Sequence, residues 1–306
     1  MISRSVCMPD DYSRLDEFLR ACEVADTVDL DLHREALQEQ QNTDLFQVSL
    51  DSAKNVRGFA RLRVSQVEDN ITEGRYWYYL APTASDEAVE LLHWAEAQTL
   101  QRGGQSRARL FTASLDNHPS RFQFLEANGF SRVRYFFTMK QALQDNIAVS
   151  DLPAGYTLRN ATLSDVPNYT ELHNLAFSEH WNSQPTTMAE LRAEKLTPEY
   201  RSELDVLAIA PDGALASFCT ASIEPMKREG AEEIVGFIAS LGTHPAHRGR
   251  GLGRALLQRN LRTLQALGIT KACISVDAAN PTGAVRLYES VGFQPFETWI
   301  SYFKYL

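Results

Sequence analysis

The 306-residue chain is 44% hydrophobic and 23% charged, with a formal net charge of −9. That make-up belongs to a folded, water-soluble protein and argues against a general nucleic-acid binder, while leaving room for a local basic pocket. Four scattered cysteines (Cys7, Cys22, Cys219, Cys273) show neither a C-x-x-C pair nor metal-ligand spacing, and no run approaches the ~20 apolar residues of a membrane span. The expectation is a cytoplasmic protein with reduced thiols, no metal, no membrane contact and no secretion signal.

A single core usually stops growing near ~150–250 residues, so the length predicts two domains. In chain order, residues 2–7 read as a strand, and Tyr12, Leu15, Phe18 and Leu19 give an apolar helical stripe. A helix is expected at 32–40, and strands at 45–50, 56–64 and 76–80. A helix at 88–100 carries Leu91, Leu92, Ala95 and Leu100; a strand at 107–112, a helix at 120–127 and a strand at 130–139 follow. The polar stretch 141–153 ends in Pro-Ala-Gly and reads as a linker.

From Tyr156 the series starts again. Strand 156–160, helices 166–177 and 187–195, and strands 204–210, 214–222 and 233–243 lead into a glycine-rich turn and a helix. Strand 271–276, helix 283–291 and closing strands from Phe293 complete it. LEANGF at 125–130 matches YESVGF at 288–293, Asn117 matches Asn280 and Pro82 matches Pro245, all at one offset of 163 residues. One shift that satisfies three separated landmarks points to a tandem duplication. The expected organisation is a first domain at 1–145, a linker at 146–155 and a second domain at 156–306.

The most informative stretch is 240–268. A strand ends at Thr243, glycines alternate at Gly249, Gly251 and Gly253, and Leu252, Leu256, Leu257, Leu261, Leu264 and Leu267 recur at helical spacing. Strand, glycine turn and helix N-terminus together make a phosphate-holding device: the backbone comes close, orphan N–H groups point outward and the helix dipole favours an anion. Arg248, Arg250 and Arg254 add positive charge. The counterpart of this loop in the first repeat, 84–90, has no glycine, and Asp86, Glu87 and Glu90 would repel phosphate. There Thr83 or Ser85 is expected to cap a structural helix.

Arg248-x-x-Gly251-x-Gly253, joined to Asn280, Tyr288 and the closing Gly292-Phe293, resembles the GCN5-related N-acetyltransferase (GNAT) family. The resemblance covers 156–306 well and the first half more weakly. It implies an α/β (α+β) protein of two tandem GNAT-like domains, each a mixed, mostly antiparallel sheet flanked by helices, with a degenerate first copy. A tandem pair with a worn first copy is similar in arrangement to mycothiol synthases.

The resemblance further implies acetyl-CoA as acyl donor, its pyrophosphate held by Arg248, Gly249, Arg250, Gly251, Leu252, Gly253 and Arg254. Its pantetheine arm would pair with the backbone of Leu241 and Thr243 and bond Asn280, which otherwise reads as a helix cap. The acceptor would be a small-molecule primary amine, in a monomer or homodimer. Tyr288 would protonate the leaving thiolate; the first repeat has Leu125 there, and plain aromatic packing is the other reading.

The base is open. In mycothiol synthases a carboxylate is expected where this chain has Phe237; Glu233 shares its strand parity, four residues or roughly 13 Å away, and otherwise reads as a solvated strand-end charge. His173 and His180 fall near the acceptor region but read as structural, His244 and His247 as loop residues, and Cys219 as core. Trp181, Asn182 and Phe237 are the expected acceptor-side residues. A mycothiol-synthase-type enzyme or a peptide or protein acetyltransferase, and from another class a non-catalytic CoA-binding sensor, are the alternatives.

Overall fold

A computed structural model describes residues 2–6, 11–26, 30, 33–34, 36–37, 44–67, 70–82, 84–143, 147–228 and 231–306. The predicted helix 32–40 lies mostly outside the described residues, and Thr83 lies wholly outside them. Two compact units form, and each mixes segments from both repeats. The first comprises Met1–Tyr135, Lys227–Glu232 and Trp299–Leu306; the second comprises Phe136–Met226 and Glu233–Thr298.

In the first unit β1 (Ile2–Ser5), β2 (Asp44–Leu50), β3 (Val56–Val67) and β4 (Ile71–Leu80) form an antiparallel run. β5 (Arg107–Leu115) then joins β4 in parallel. Helix α1 (Tyr12–Asp26) precedes β2, α2 (Ser85–Gly103) links β4 to β5, and α3 (Pro119–Ala127) follows β5. Tyr76, Leu91, Leu92, Ala95 and Leu110 are fully buried in its core. Leu100, predicted in the apolar stripe of α2, is exposed near the helix end. The position before α2 is Ala84, which makes no side-chain cap bond; Thr83 and the Ser85 side chain, where the cap is expected, lie outside what is described.

The second unit carries β7 (Thr157–Asn160), α4 (Val166–Phe177), α5 (Met188–Glu194), β8 (Asp205–Ile209), β9 (Leu215–Arg228) and β10 (Ala231–Thr243). After these come α6 (Leu252–Ala266), β11 (Lys271–Asp277), α7 (Ala284–Val291) and β12 (Gln294–Tyr305). β7 to β9 pair antiparallel, β10 lies beside β9, and β10 pairs with β11 in parallel. Leu252, Leu256, Leu257, Leu261 and Leu264 bury the inner face of α6 against this sheet. Leu267 drops out of the predicted stripe because the helix ends at Ala266.

A second anchor is ionic. The buried Asp205 carboxylate accepts from Lys195 and Tyr200 on one oxygen and from Tyr169 on the other, tying α4 and the end of α5 to β8. Removing either member of the Lys195–Asp205 pair would strand a buried charge, at a cost of roughly 3–5 kcal/mol.

The duplication is visible in the elements themselves. A shift of 163 residues carries β6 (Ser131–Ala142) onto β12 (Gln294–Tyr305). The final strands are exchanged. Trp299–Tyr305 of β12 pairs with β5 of the first unit, and Phe136–Ala142 of β6 pairs with β11 of the second. Neither unit is therefore collinear with one repeat. The stretch predicted as a linker is docked on the second unit: Leu143 N donates to Thr270 O and Ser150 N to Gln258 Oε1, each at 2.8 Å.

Candidate active site

Parallel pairing of β10 with β11 runs from Gly236↔Ala272 to Ile238↔Ile274, although β10 continues to Thr243. Beyond Ile238 the two strands open like a V. The end of β10 is held from its other side: Ser217 Oγ donates to Gly242 O at 2.7 Å and lies 2.8 Å from Thr243 Oγ1, and His244 N donates to Ala216 O at 2.9 Å. Gly242 permits a close crossing here, since a Cβ on it would lie 2.5 Å from the Phe218 ring and 3.0 Å from Ala176 of α4. The open side of the V is a cavity of about 310 Å³.

One wall of this cavity is the glycine loop. Gly249 (φ 74°) and Gly251 (φ 86°) occupy the left-handed region, where a side chain is strained, although a Cβ on either would meet no atom within 4 Å. Among the described residues, the N–H groups of Gly249 to Arg254 have no backbone acceptor; the first bond of the helix start is Ala255 N to Gly251 O, at 3.1 Å. Six consecutive donors at the positive end of a 15-residue helix form an anion cradle.

The arginines contribute differently from expectation. Arg248 donates to Glu179 Oε2 at 2.7 Å, to Ala176 O at 3.2 Å and to Thr243 O at 3.3 Å, so it braces the loop against the end of α4. Arg254 donates to Ser290 Oγ at 2.9 Å. Arg250 is exposed, bonds Ala246 O at 3.5 Å and does not line the cavity. Bare backbone N–H groups, more than the guanidinium groups, are thus the donors that could meet an anion here.

The facing wall comes from Thr282 to Tyr288. Asn280 Oδ1 accepts from Thr282 N at 2.8 Å and Thr282 Oγ1 at 2.6 Å, closing a local turn that leads to Gly283 at φ 76°. Gly283, not Asn280, precedes the first residue of α7, so the predicted helix cap is a turn former three residues upstream of that position. Asn280 does not itself line the cavity; Thr282, Gly283, Ala284, Leu287 and Tyr288 do.

Tyr288 is 6% exposed, and burial, helped by the neighbouring Cys219, pushes its phenol well above the ordinary value of 10. Among the described residues its hydroxyl has no hydrogen-bond partner. Cys219 is fully buried and its thiol is pushed up to about 12, chiefly by burial, which makes it a neutral core residue as expected.

His180 also faces the cavity, perpendicular to Phe177 with ring centroids 4.5 Å apart. Burial lowers its pKa from 6.5; Asp277 and Glu179 oppose the shift, and Arg248 reinforces it. It is therefore a neutral imidazole at neutral pH, able to accept a proton. His247 lines the loop side and shares a hydrogen bond with Tyr156 Oη at 2.8 Å, while His244 Nδ1 accepts from Ala246 N at 3.1 Å.

Of the predicted residues, Leu241, Thr243, Arg248, Gly249, Gly251, Leu252, Gly253, Arg254 and Tyr288 come together around this one cavity. Glu233 does not. It is exposed at the start of β10 and paired with Lys271. Phe237 is half-buried in register with Cys273, Trp181 packs on Phe136 with centroids 6.1 Å apart, and Asn182 takes φ 53°; none of the three lines the cavity. His173, half-buried on α4, packs against Phe177 and Phe218 with ring centroids 4.7 Å and 5.5 Å away. Sequence reasoning did not single out Ala176, Gly242, Thr282 or Leu287; the Asn-Pro-Thr-Gly turn signal at 280–283 was the available clue for one of these.

Residues 166–293 match the Acetyltransferase (GNAT) family. Over that stretch, most of the second repeat, the chain is similar to the GNAT family. The chain is 34% identical over 205 residues to a mycothiol acetyltransferase of Kineococcus radiotolerans, a match spanning 66% of this chain and 63% of that protein. A GCN5-related N-acetyltransferase from Sphaerobacter thermophilus superposes with a TM-score of 0.77 at 22% identity, covering 99% of this chain and 95% of the other. A tandem GNAT protein from the clavulanic acid biosynthesis pathway gives 0.71 at 18% identity, covering 99% and 98%. The fold is that of a tandem GNAT protein. Among the described residues no group of His, Cys, Asp and Glu is arranged to hold a metal ion, and no helix is long and apolar enough to cross a membrane.

Proposed function

We propose that this chain transfers an acetyl group from acetyl-CoA to a primary amine of a small molecule, by direct attack in a ternary complex. The observation that carries the reading is that Gly249, Gly251, Leu252, Gly253 and Arg254, whose N–H groups have no backbone acceptor, line one cavity with the buried Tyr288. The thioester supplies the activated acyl group. The protein's part is positioning: backbone donors hold a pyrophosphate, the free edge of β10 at Leu241–Thr243 accepts an extended arm as an added strand, and Tyr288 donates its proton to the departing sulfur.

The amine must be neutral to attack. His180 supports the role of acceptor for its proton better than Glu233 does, because it faces the cavity and burial keeps it neutral. Glu233 is tied to Lys271 and exposed, and would act only through a chain of water.

A second reading narrows the acceptor. The curated relatives bear the name mycothiol acetyltransferase, so the amine of a cysteinyl-glucosaminyl-inositol is the first acceptor to test; Phe237, where a carboxylate is expected in such enzymes, weighs against it. Thiol release from acetyl-CoA across an amine panel containing that compound separates the readings. Release with one amine supports transfer. Calorimetric CoA binding without release from any amine leaves only a CoA-binding sensor. Gly251→Asp puts bulk and negative charge into the cradle and is expected to abolish CoA binding; retained binding would sink the loop assignment.

A further inference from the structure

The first unit contains a cavity that the GNAT reading does not use. Parallel pairing of β4 with β5 ends at Arg75↔Phe111, whereas the strands run on to Leu80 and Leu115, so they too open apart. A cavity of about 140 Å³ lies beyond the opening, walled by His33, Trp77, Tyr79, Trp299, His118 and Arg121 among others. A larger one of about 420 Å³ shares His118 and Arg121 with it and continues towards the start of α2.

The walls are built rather than incidental. His33 is 5% exposed and Arg61 3% exposed. Arg61 donates to the Asp44 carboxylate at 2.7 Å and lies 5.2 Å from the Trp77 ring centre, and its Nη1 is 3.4 Å from His33 Nδ1. A guanidinium only donates, so His33 Nδ1 accepts; the neutral ring then carries its hydrogen on Nε2, 3.0 Å from Tyr79 Oη. Burial, with Arg61 and Arg121 next in weight, pushes the His33 pKa down to about 3, so the ring stays neutral. Arg121 lies 4.2 Å from the Tyr78 ring centre and 5.7 Å from that of Tyr79.

Among the described residues lining either cavity there is no Asp or Glu. Asp44, the one carboxylate among the main influences on His33, is already held by Arg61 and Arg63. Arg121 is the one permanently charged side chain among the described residues lining either cavity, and its guanidinium can donate to a carboxylate placed there. Trp77 and Trp299 add flat apolar walls. The start of α2 has Asp86 and Glu87 in its first turn and no glycine, so the backbone cradle at the start of α6 has no counterpart here.

We propose that this cavity binds a small carboxylate carrying a flat apolar body, an arylcarboxylate, with the charge on Arg121 and His118 and the ring beside Trp77 and Trp299. The site is separate from the acetyl-donor cavity and does not take CoA.

Two of the chain's four tryptophans line the cavity, so intrinsic fluorescence of the full chain reads occupancy directly. Benzoate is expected to give a saturable change; benzamide, with the ring but no charge, and acetate, with the charge but no ring, should bind at least tenfold more weakly. Arg121→Gln should weaken benzoate at least tenfold, and Gly251→Asp should leave it unchanged. Since Arg121 also packs on Tyr78, Ala113→Leu serves as the second variant: it fills the cavity from β5 and should abolish the response without touching a charge. The proposal is overturned by absence of saturation in the wild type, by equal binding of benzamide, by undiminished benzoate binding in a folded Ala113→Leu protein, or by loss of binding in Gly251→Asp.

Discussion

Arg248 Nη1 donates to Glu179 Oε2 at 2.7 Å, bridging the glycine loop to the residue just past α4. The sequence predicts this arginine as a phosphate ligand, and in the structure its guanidinium is a brace. The ion pair itself is exposed, at 29% and 58% for the two side chains, so it contributes little. The bonds to Ala176 O and Thr243 O are what order the loop. Glu179→Gln is therefore expected to change stability by less than about 0.5 kcal/mol, and Arg248→Ala to cost about 1 kcal/mol and weaken CoA binding. Chemical denaturation and calorimetry on both variants check this; equal losses in the two would refute the brace.

Tyr288 is held well above its ordinary value of 10 mainly by burial. Its phenol therefore remains a proton donor throughout the neutral and mildly alkaline range. Tyr288→Phe is expected to lower turnover at least tenfold, or about 1.4 kcal/mol of barrier, with CoA affinity near wild type. Linkage gives a second readout. A raised folded-state value means that the native protein holds this proton longer than the unfolded chain. The contribution to stability is full below the ordinary value of 10 and is lost as pH rises through the folded value. The Phe variant should lack that alkaline loss. Denaturation curves at about pH 9 and about pH 11 measure it, and identical slopes would contradict the assignment.

The sequence displayed the glycine loop, Tyr288 and the sheet ends well, because a left-handed turn favours glycine and a helix start leaves its first donors without partners inside the helix. What it concealed came from packing. Arg248 looks like a phosphate ligand until α4, some seventy residues earlier in the chain, is seen to supply its acceptors. Glu233 looked available because only three dimensions bring Lys271 beside it. The strand exchange was hidden for another reason: β6 and β12 have interchangeable patterns, and pattern alone does not say which unit each completes.

His180 faces Asp277 at the end of β11, Glu179 just past α4 and Arg248 from the loop, with His173 nearby on α4. Its pKa lies below 6.5, burial being the largest cause. If it takes the amine's proton, the acid limb of kcat/KM falls below 6.5, and His180→Gln lowers the neutral-pH rate at least tenfold while removing that limb. Glu179→Gln removes a charge that favours the imidazolium, so the limb should move lower still. A pH–rate profile for each variant decides; a limb that survives in His180→Gln assigns the base elsewhere.

The exchange of final strands makes fragment stability a strict test of the fold. A fragment spanning 156–306 follows the repeat boundary, yet it loses the strand that pairs with β11 from Lys271↔Ala142 to Asp277↔Phe136. It also retains Trp299–Tyr305 without β5, baring Ile300, Tyr302 and Phe303, which are buried in the whole protein. Two unpaired strand edges, one of them apolar, favour association between chains. A fragment spanning 136–298 keeps the β6 segment, the docked stretch to Tyr156 and all of the glycine-loop cavity, while discarding the unpartnered final strand. It is expected to unfold cooperatively as a monomer, whereas 156–306 aggregates or melts at a much lower temperature. Sedimentation and thermal denaturation on the two fragments measure the difference. If 156–306 were the more stable monomer, the exchanged pairing of β6 with β11 and of β12 with β5 would be wrong.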